Sequence, residues 1–387
     1  MHYPLYFDYN ATTPCDPQVM DVMLPYFGTH FGNAASKAHA YGWVAGEAVE
    51  MAREQVAALI GAVPQEVIFT SGATESVNLA IRGVAEAYAA KGNHIITYAT
   101  EHKAVLDVCT YLAAKQGKEV TVLPVGPDGQ PDLQQLEDAI RPTTVLIAAM
   151  YANNETGVIF PVKEISAIAR RQGVLFFCDA TQAAGKIPVD VRSDGSALLA
   201  FSAHKMYGPK GVGALYVSRK DPRVTLAPLQ HGGGHERNMR SGTLNVPGIV
   251  GFGKAAVLCK QLLPEEAERL AGLRDRLIQG FADLPGVVQN GDIRHRLPHV
   301  SNICFGFEGG DGMLRLLTKQ LAVAAGSACT SASPEPSHVL KAMQLSNVQA
   351  AASIRFSLGR FTTDAEVEQA IVLIRAAATA LQSNSCS

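Results

Sequence analysis

The chain has 387 residues, more than one ordinary hydrophobic core supports, so a large domain with a smaller companion is expected. Its 33 Lys and Arg against 35 Asp and Glu give a formal net charge of −2, which excludes the basic field that binding nucleic acid or an acidic membrane requires. Hydrophobic residues at 47% and charged residues at 18% fit a globular protein that hides much of its surface, an oligomer interface included.

The chain opens on residues 1–14 with neither a basic n-region nor an apolar h-region, so no signal peptide is expected. Short apolar runs follow at 66–70, 94–98, 119–125, 145–151, 175–179, 198–202 and 213–217 and read as seven strands. Amphipathic stretches at 76–91, 104–116, 133–140 and 162–172 read as the helices between them. This alternation predicts an α/β fold with a mostly parallel sheet covered on both faces. The flanks of 119–125 are rich in Gly and Pro, so that run could also be a connector.

The pattern changes after Pro247. Residues 249–284 read as a long helix, with Pro264 as a start or a break. Strands are expected at 301–307 and 353–358, then a helix at 364–381 capped by Thr363, then a disordered tail at 382–387. The domain change is placed near residue 255. The large domain is 14–255, and the smaller α/β domain is 1–13 with 256–387. No apolar run approaches the ~20 residues of a membrane span. The seven cysteines (Cys15, Cys109, Cys178, Cys259, Cys304, Cys329 and Cys386) are scattered and form no C-x-x-C pair. Neither a disulfide framework nor a zinc site is expected, and a reducing, cytoplasmic setting is.

Chemistry-bearing residues recur just after predicted strands, where a parallel sheet gathers its ligand-binding edge. In Thr70-Ser71-Gly72-Ala73-Thr74-Glu75-Ser76, the Gly permits a tight turn, and the amides and Thr74 hydroxyl open a helix that could take a phosphate or simply be capped. His102, after the run 94–98, could stack on an aromatic cofactor and move protons, or be a satisfied structural histidine. Asn154 offers an amide to the same edge. Asp179 ends an apolar strand and needs compensation, from a helix cap or from a protonated ring nitrogen. Gln182 follows it and could donate to a phenolate oxygen. Lys205, in a Gly- and Pro-bounded turn after 198–202, is a candidate for covalent capture of an aldehyde, with Ser202 and His204 as phosphate ligands beside it. Lys210 reads as a surface lysine.

Cys329 lies in Ala325-Gly326-Ser327-Ala328-Cys329-Thr330-Ser331, which has no period of two or 3.6 and reads as a loop. Free cysteines are usually buried, so a loop cysteine is either incidental or a thiol kept available for chemistry. Arg355 interrupts the alternating run Ser353-Ile354-Arg355-Phe356-Ser357, either to bind a carboxylate or to join an internal ion pair.

Together with Tyr6-Phe7-Asp8-Tyr9-Asn10-Ala11-Thr12-Thr13-Pro14, Arg240-Ser241-Gly242-Thr243 and Glu335-Pro336-Ser337-His338, these runs resemble the cysteine desulfurases of the NifS/IscS type. That group lies within the class-V aminotransferase superfamily of pyridoxal-phosphate enzymes, fold type I. The resemblance spans nearly the whole chain. It implies pyridoxal 5′-phosphate anchored on Lys205, with Asp179 at the ring nitrogen, Gln182 at the ring hydroxyl and His102 over the ring. It implies Ala73, Thr74, Ser202 and His204 at the phosphate, and Thr243 reaching the phosphate of a partner subunit in an obligate homodimer. Asn154 and Arg355 would meet the carboxylate side of the substrate L-cysteine, and Cys329 would take its sulfur as a persulfide. A sulfur-acceptor protein, such as an iron–sulfur scaffold, would follow. The chain lacks the longer tail of the IscS subgroup, which bears on that docking. An aminotransferase or a selenocysteine lyase of the same fold would use the same cofactor residues and leave Cys329 incidental. A sulfur carrier without catalysis would predict loss of Lys205 or Asp179, and both are present.

Overall fold

Strands Thr144–Met150, Leu175–Asp179 and Leu198–Ser202 are buried along their whole length, the reason they read as unbroken apolar runs. The computed structural model describes residues 3–325 and 336–385. It orders the central seven-stranded sheet as Val67–Thr70, Gly213–Val217, Leu198–Ser202, Leu175–Asp179, Thr144–Met150, His94–Tyr98 and Glu119–Leu123. Neighbours from Leu198–Ser202 to Glu119–Leu123 are parallel. Gly213–Val217 alone opposes both of its neighbours. The link from Ser202 to Gly213 is too short for a crossover helix, so the chain must turn back. Glu119–Leu123, which could have been a connector, is an edge strand of this sheet.

Side chains alternate across the sheet and feed two cores. Phe69, Ile147, Phe176 and Phe201 face one layer, and Ile68, Leu146, Phe177 and Leu198 face the other. A second, antiparallel sheet is ordered Ala324–Ala325, Ser353–Ser357, Val300–Phe305 and Val287–Gln289. Its core joins Ile303, Phe305 and Phe356 to Leu273 and Leu277 of one helix and to Val367 and Ile374 of the last. Phe7 enters the same core, and strand Leu5–Tyr6 pairs in parallel with Leu321–Ala322. The helix Val246–Gln279 gives Phe252 and Cys259 to the first core and Leu273 and Leu277 to the third, so it ties the two sheets together.

Three features depart from the sequence reading. Helices Pro17–Met23 and Ala40–Leu59 carried no clean period, because Tyr41, Trp43 and Met51 are exposed opposite a buried face. The long helix starts at Val246 and runs through Pro264 unbroken. The carbonyl that Pro264 leaves unbonded belongs to exposed Lys260, where water can serve it. By length and mean composition that helix could also cross a bilayer, yet Lys254 and Lys260 interrupt its apolar run and more than half of its most apolar stretch is buried in the protein. The last helix is Asp364–Ser385, so residues 382–385 continue it rather than form a disordered tail. Thr363 caps it as expected: its Oγ1 accepts from Glu366 N at 3.2 Å, while Thr363 N donates to Glu366 Oε2 at 2.8 Å.

Candidate active site

The carboxyl ends of the parallel strands open on a cavity of about 590 Å³. One wall is built where Val67–Thr70 turns into helix Ala73–Ala87. Thr70 and Ser76 hydroxyls bond at 2.8 Å, Gly72 is the N-cap, and Ala73 and Thr74 line the cavity with the helix start behind them. The backbone there is packed tightly: a Cβ built on Gly213 would stand 2.6 Å from Gly72 Cα. Ser202 and His204 complete this wall. Ser202 Oγ donates to Val212 O at 3.3 Å, and His204 Nδ1 pairs with Thr12 Oγ1 at 3.1 Å. Burial, with Lys205 and Lys210 nearby, pulls the His204 imidazole down to about 4. It is therefore neutral at pH 7 and offers hydrogen bonds, not charge.

Asp179 closes the opposite side at the end of its strand. Its Oδ1 accepts from Thr181 N at 3.0 Å and from Thr181 Oγ1 at 2.5 Å. Both bonds fall on one oxygen, so Oδ2 is the one a cavity ligand would meet. Gln182 Nε2 donates to Asn10 O at 3.1 Å. Lys205 ends the turn Ala203–Lys205, and its Nζ donates to Asn10 O at 2.5 Å and Ala11 O at 2.8 Å. Two residues on, Tyr207 takes a left-handed φ of 64°. It is pinned there by Thr13 Oγ1 on its N–H at 2.8 Å and by Arg360 N on its hydroxyl at 2.6 Å.

His102 lines the cavity and also caps helix Lys103–Gln116, its Nδ1 accepting from Ala104 N at 3.1 Å, so it has a structural task as well as a place at the cavity. Beside it Glu101 is fully buried. Its Oε1 accepts from Met150 N at 2.7 Å and its Oε2 finds no partner among the described residues. Burial, then the charge of Asp179, pushes this carboxyl well above its ordinary range.

Asn154 and Arg355 form the third side. Arg355 Nη1 donates to Asn154 O at 3.0 Å and Nη2 to Asp8 Oδ1 at 2.6 Å. Arg355 is thus both a cavity residue and half of an internal ion pair.

Two expected residues are not in this wall. Thr243 is exposed and stands outside it. Cys329 lies outside the described residues, but the chain on either side is placed. Ala324 pairs with Arg355 across the second sheet. After the undescribed residues, Ser337 Oγ donates to Glu155 Oε2 at 2.5 Å and His338 Nε2 donates to Glu101 O at 2.9 Å. Both flanks therefore touch neighbours of the cavity. Burial pushes the Glu155 carboxyl up to about 7, against the pull of Ser337 and Arg355.

Asn10, Ala11 and Thr12 line the cavity and were assigned no role from the sequence. They lie in the run Tyr6–Pro14 that helps carry the family resemblance, and nothing in it pointed to Lys205.

Taken together, the cavity offers an amine, a buried carboxylate, an imidazole, and a helix start with hydroxyls. That set fits pyridoxal phosphate, with its aldehyde, ring nitrogen, aromatic face and phosphate. The class-V aminotransferase family model matches residues 5–370. The chain is 55% identical to a cysteine desulfurase IscS of an Anaeromyxobacter species, over 97% of this chain and 92% of that one. A solved NifS-like protein superposes with a TM-score of 0.89 at 37% identity, covering 96% of this chain and 98% of that one. A structure described as SspA in complex with cysteine gives 0.82 at 37% identity, over 93% and 100%. The chain belongs to the class-V aminotransferase family and, within it, to the cysteine desulfurases.

Proposed function

We propose that this member of the cysteine desulfurases removes the sulfur of L-cysteine, leaving L-alanine, with pyridoxal phosphate in the cavity and Cys329 as the sulfur acceptor. The observation that carries the reading is the convergence of Lys205, Asp179 and the start of helix Ala73–Ala87 on one cavity that also contains Arg355. When bound, the cofactor supplies an electron sink that stabilises negative charge at the substrate α-carbon.

The chain's own residues do the rest. Ala73, Thr74, Ser202 and His204 hold the phosphate by hydrogen bonds and the helix dipole. Asp179 keeps the ring nitrogen protonated, Gln182 bonds the ring hydroxyl, His102 covers the ring face, and the Lys205 amine holds the aldehyde. Arg355 and Asn154 orient the substrate carboxylate. Lys205 or His102 moves the α-proton. A thiol with an ordinary pKa of ~8.5 is only a few per cent ionised near neutrality, so Cys329 needs a proton acceptor, either the substrate amine or His102, which follows the Glu101 bonded by His338. The Cys329 thiolate forms a sulfur–sulfur bond as the substrate carbon–sulfur bond breaks. The electron pair stays with the carbon that ends as the methyl of alanine.

The working unit we propose is a homodimer. Leu24, Phe27, Phe31, Tyr41 and Trp43 are all more than half exposed on the first helices and the loop between them, an apolar surface that a second copy would cover. In that dimer Thr243 serves the partner's phosphate site. The persulfide then passes to an acceptor protein such as an iron–sulfur scaffold. The unpaired thiols Cys15, Cys109, Cys178, Cys259 and Cys304 suit a cytoplasmic setting.

The test is purified protein with L-cysteine and a dithiol. Alanine and sulfide should appear together, and Cys329→Ser should stop sulfide release. A 2-oxo acid product would favour the aminotransferase reading instead, and sulfide release by the variant at the parent rate would remove Cys329 from its role.

A further inference from the structure

Arg355 already has a carboxylate partner inside the protein. Its side chain is 3% exposed, and that of Asp8 is 19% exposed. Arg355 belongs to the cavity wall while Asp8 does not, so the carboxylate meets the guanidinium outside the cavity lining. Asp8 is held there by its backbone. It bridges to Ser357, two residues beyond Arg355, and its carbonyl accepts from Tyr6 Oη at 3.0 Å. Arg355 Nε is buried and without a partner among the described residues, so the guanidinium retains bonding capacity. The other acid near Arg355 is Glu155, whose carboxyl is tied to Ser337.

A guanidinium this deep needs a counter-charge when the cavity has no ligand. A second carboxylate arriving at the same group meets both attraction from Arg355 and repulsion from Asp8. We propose that Asp8 is a resident counter-ion against which the α-carboxylate of the amino-acid substrate competes, and that it sets how tightly this site holds carboxylates. It rests on reading the cavity as an amino-acid site. Asp8 keeps Arg355 aimed between turnovers, and it weakens the grip on the alanine product, whose carboxylate must leave before the next cysteine binds.

The experiment compares parent, Asp8→Asn and Asp8→Ser holoenzymes. Titration calorimetry gives the dissociation constant of L-alanine, and steady-state kinetics gives KM and kcat for L-cysteine. Cysteamine, which has the amine and thiol but no carboxylate, is the control ligand. Removing the competing charge should tighten L-alanine about three- to tenfold, a range set by ~1 kcal/mol for a partly exposed pair, and lower KM for cysteine similarly. Cysteamine affinity should not move. Unchanged or weaker L-alanine binding in both variants overturns the proposal, as does an equal gain for cysteamine. Failure of both variants to fold with cofactor makes Asp8 a stabilising partner only and also overturns it. Arg355→Lys separates the layers: if L-alanine affinity survives that change, the amino-acid reading of Arg355 is what fails.

Discussion

The main-chain oxygen of Asn10 lies 2.5 Å from Nζ of Lys205, across 195 residues of chain. The same oxygen accepts from Gln182 Nε2. The Asn10 side chain is fixed in turn, with Nδ2 donating to Asn154 O at 2.9 Å and Oδ1 accepting from His299 Nε2 at 2.9 Å. His299 is fully buried, and burial holds its imidazole well below the usual range, so it stays neutral and donates through Nε2. One asparagine thus locates the groups expected at the aldehyde, at the ring hydroxyl and at the substrate carboxylate.

Asn10→Ala keeps the carbonyl but releases it from these restraints and leaves the buried His299 N–H unpaired. A loss of about 1–3 kcal/mol in stability is expected, read from the urea midpoint. Cofactor should also dissociate faster on gel filtration at low cofactor concentration. Restoring a side-chain acceptor with Asn10→Asp should recover the His299 bond but not the one to Asn154. An alanine variant that matches the parent in both measurements would show that the carbonyl needs no such support.

Glu101→Gln isolates a pH effect. The folded Glu101 carboxyl is raised well above its unfolded value by burial, so the folded state holds a proton that the unfolded state has already lost. That stabilisation is complete below the unfolded pKa, near ~4.3, and fades as pH rises toward the folded value. The amide cannot ionise. The variant should therefore lie within ~1 kcal/mol of the parent at pH 5 and gain on it at pH 8, measured by urea unfolding at both values. Glu155, raised to about 7, keeps a smaller slope of the same sign in both proteins. Parallel stability curves would mean that Glu101 is ionised in the fold.

Arg53 and Glu236 form a buried bidentate pair, with Nη1 to Oε2 and Nη2 to Oε1 both at 2.7 Å, and Glu236 Oε2 also accepts from Phe69 N at 2.7 Å. It ties helix Ala40–Leu59 to a segment where Glu236, Arg237 and Asn238 all have positive φ. Glu236→Ala leaves Arg53 only the exposed Glu50 and the Val67 carbonyl, and leaves the buried Phe69 N–H without its acceptor, so it should cost about 3 kcal/mol in chemical unfolding. Glu236→Gln keeps an acceptor and should cost clearly less. Because Thr243 follows on the same segment, the alanine variant should also shift the proposed dimer toward monomer in sedimentation.

Much of the sheet was legible because strands such as Leu175–Asp179 are buried on both faces and end at a polar residue with nothing apolar to follow. Asp179 and Lys205 could be read for the same reason: a charge at the end of an apolar run calls for a partner. What could not be read depends on pairs distant in sequence. Asn10 reaches Lys205, and Asp8 reaches Arg355, only after the first residues cross from the small sheet to the large one. Helix Ala40–Leu59 was hidden by apolar side chains on its solvent face, Trp43 among them. The reversed strand Gly213–Val217 has the same composition as its parallel neighbours, and only the length of its connection betrays it.

Gly213→Ala tests the proposed phosphate wall from a residue outside the cavity lining. The new Cβ would stand 2.6 Å from Gly72 Cα, 2.7 Å from Gly72 C and 2.9 Å from Phe201 O, all backbone atoms that no rotamer change can move. Relief has to come from displacing Gly72, the N-cap of helix Ala73–Ala87, and with it the cavity-lining Ala73 and Thr74. Overpacking of this kind should cost about 1–3 kcal/mol of stability. Its signature at the site is selective. Pyridoxal phosphate should bind at least tenfold more weakly, a loss of ~1.4 kcal/mol, whereas pyridoxal, which lacks the phosphate, should lose little. Equal losses for the two compounds, followed by absorbance titration of the apoprotein, would place the phosphate elsewhere than at this helix start.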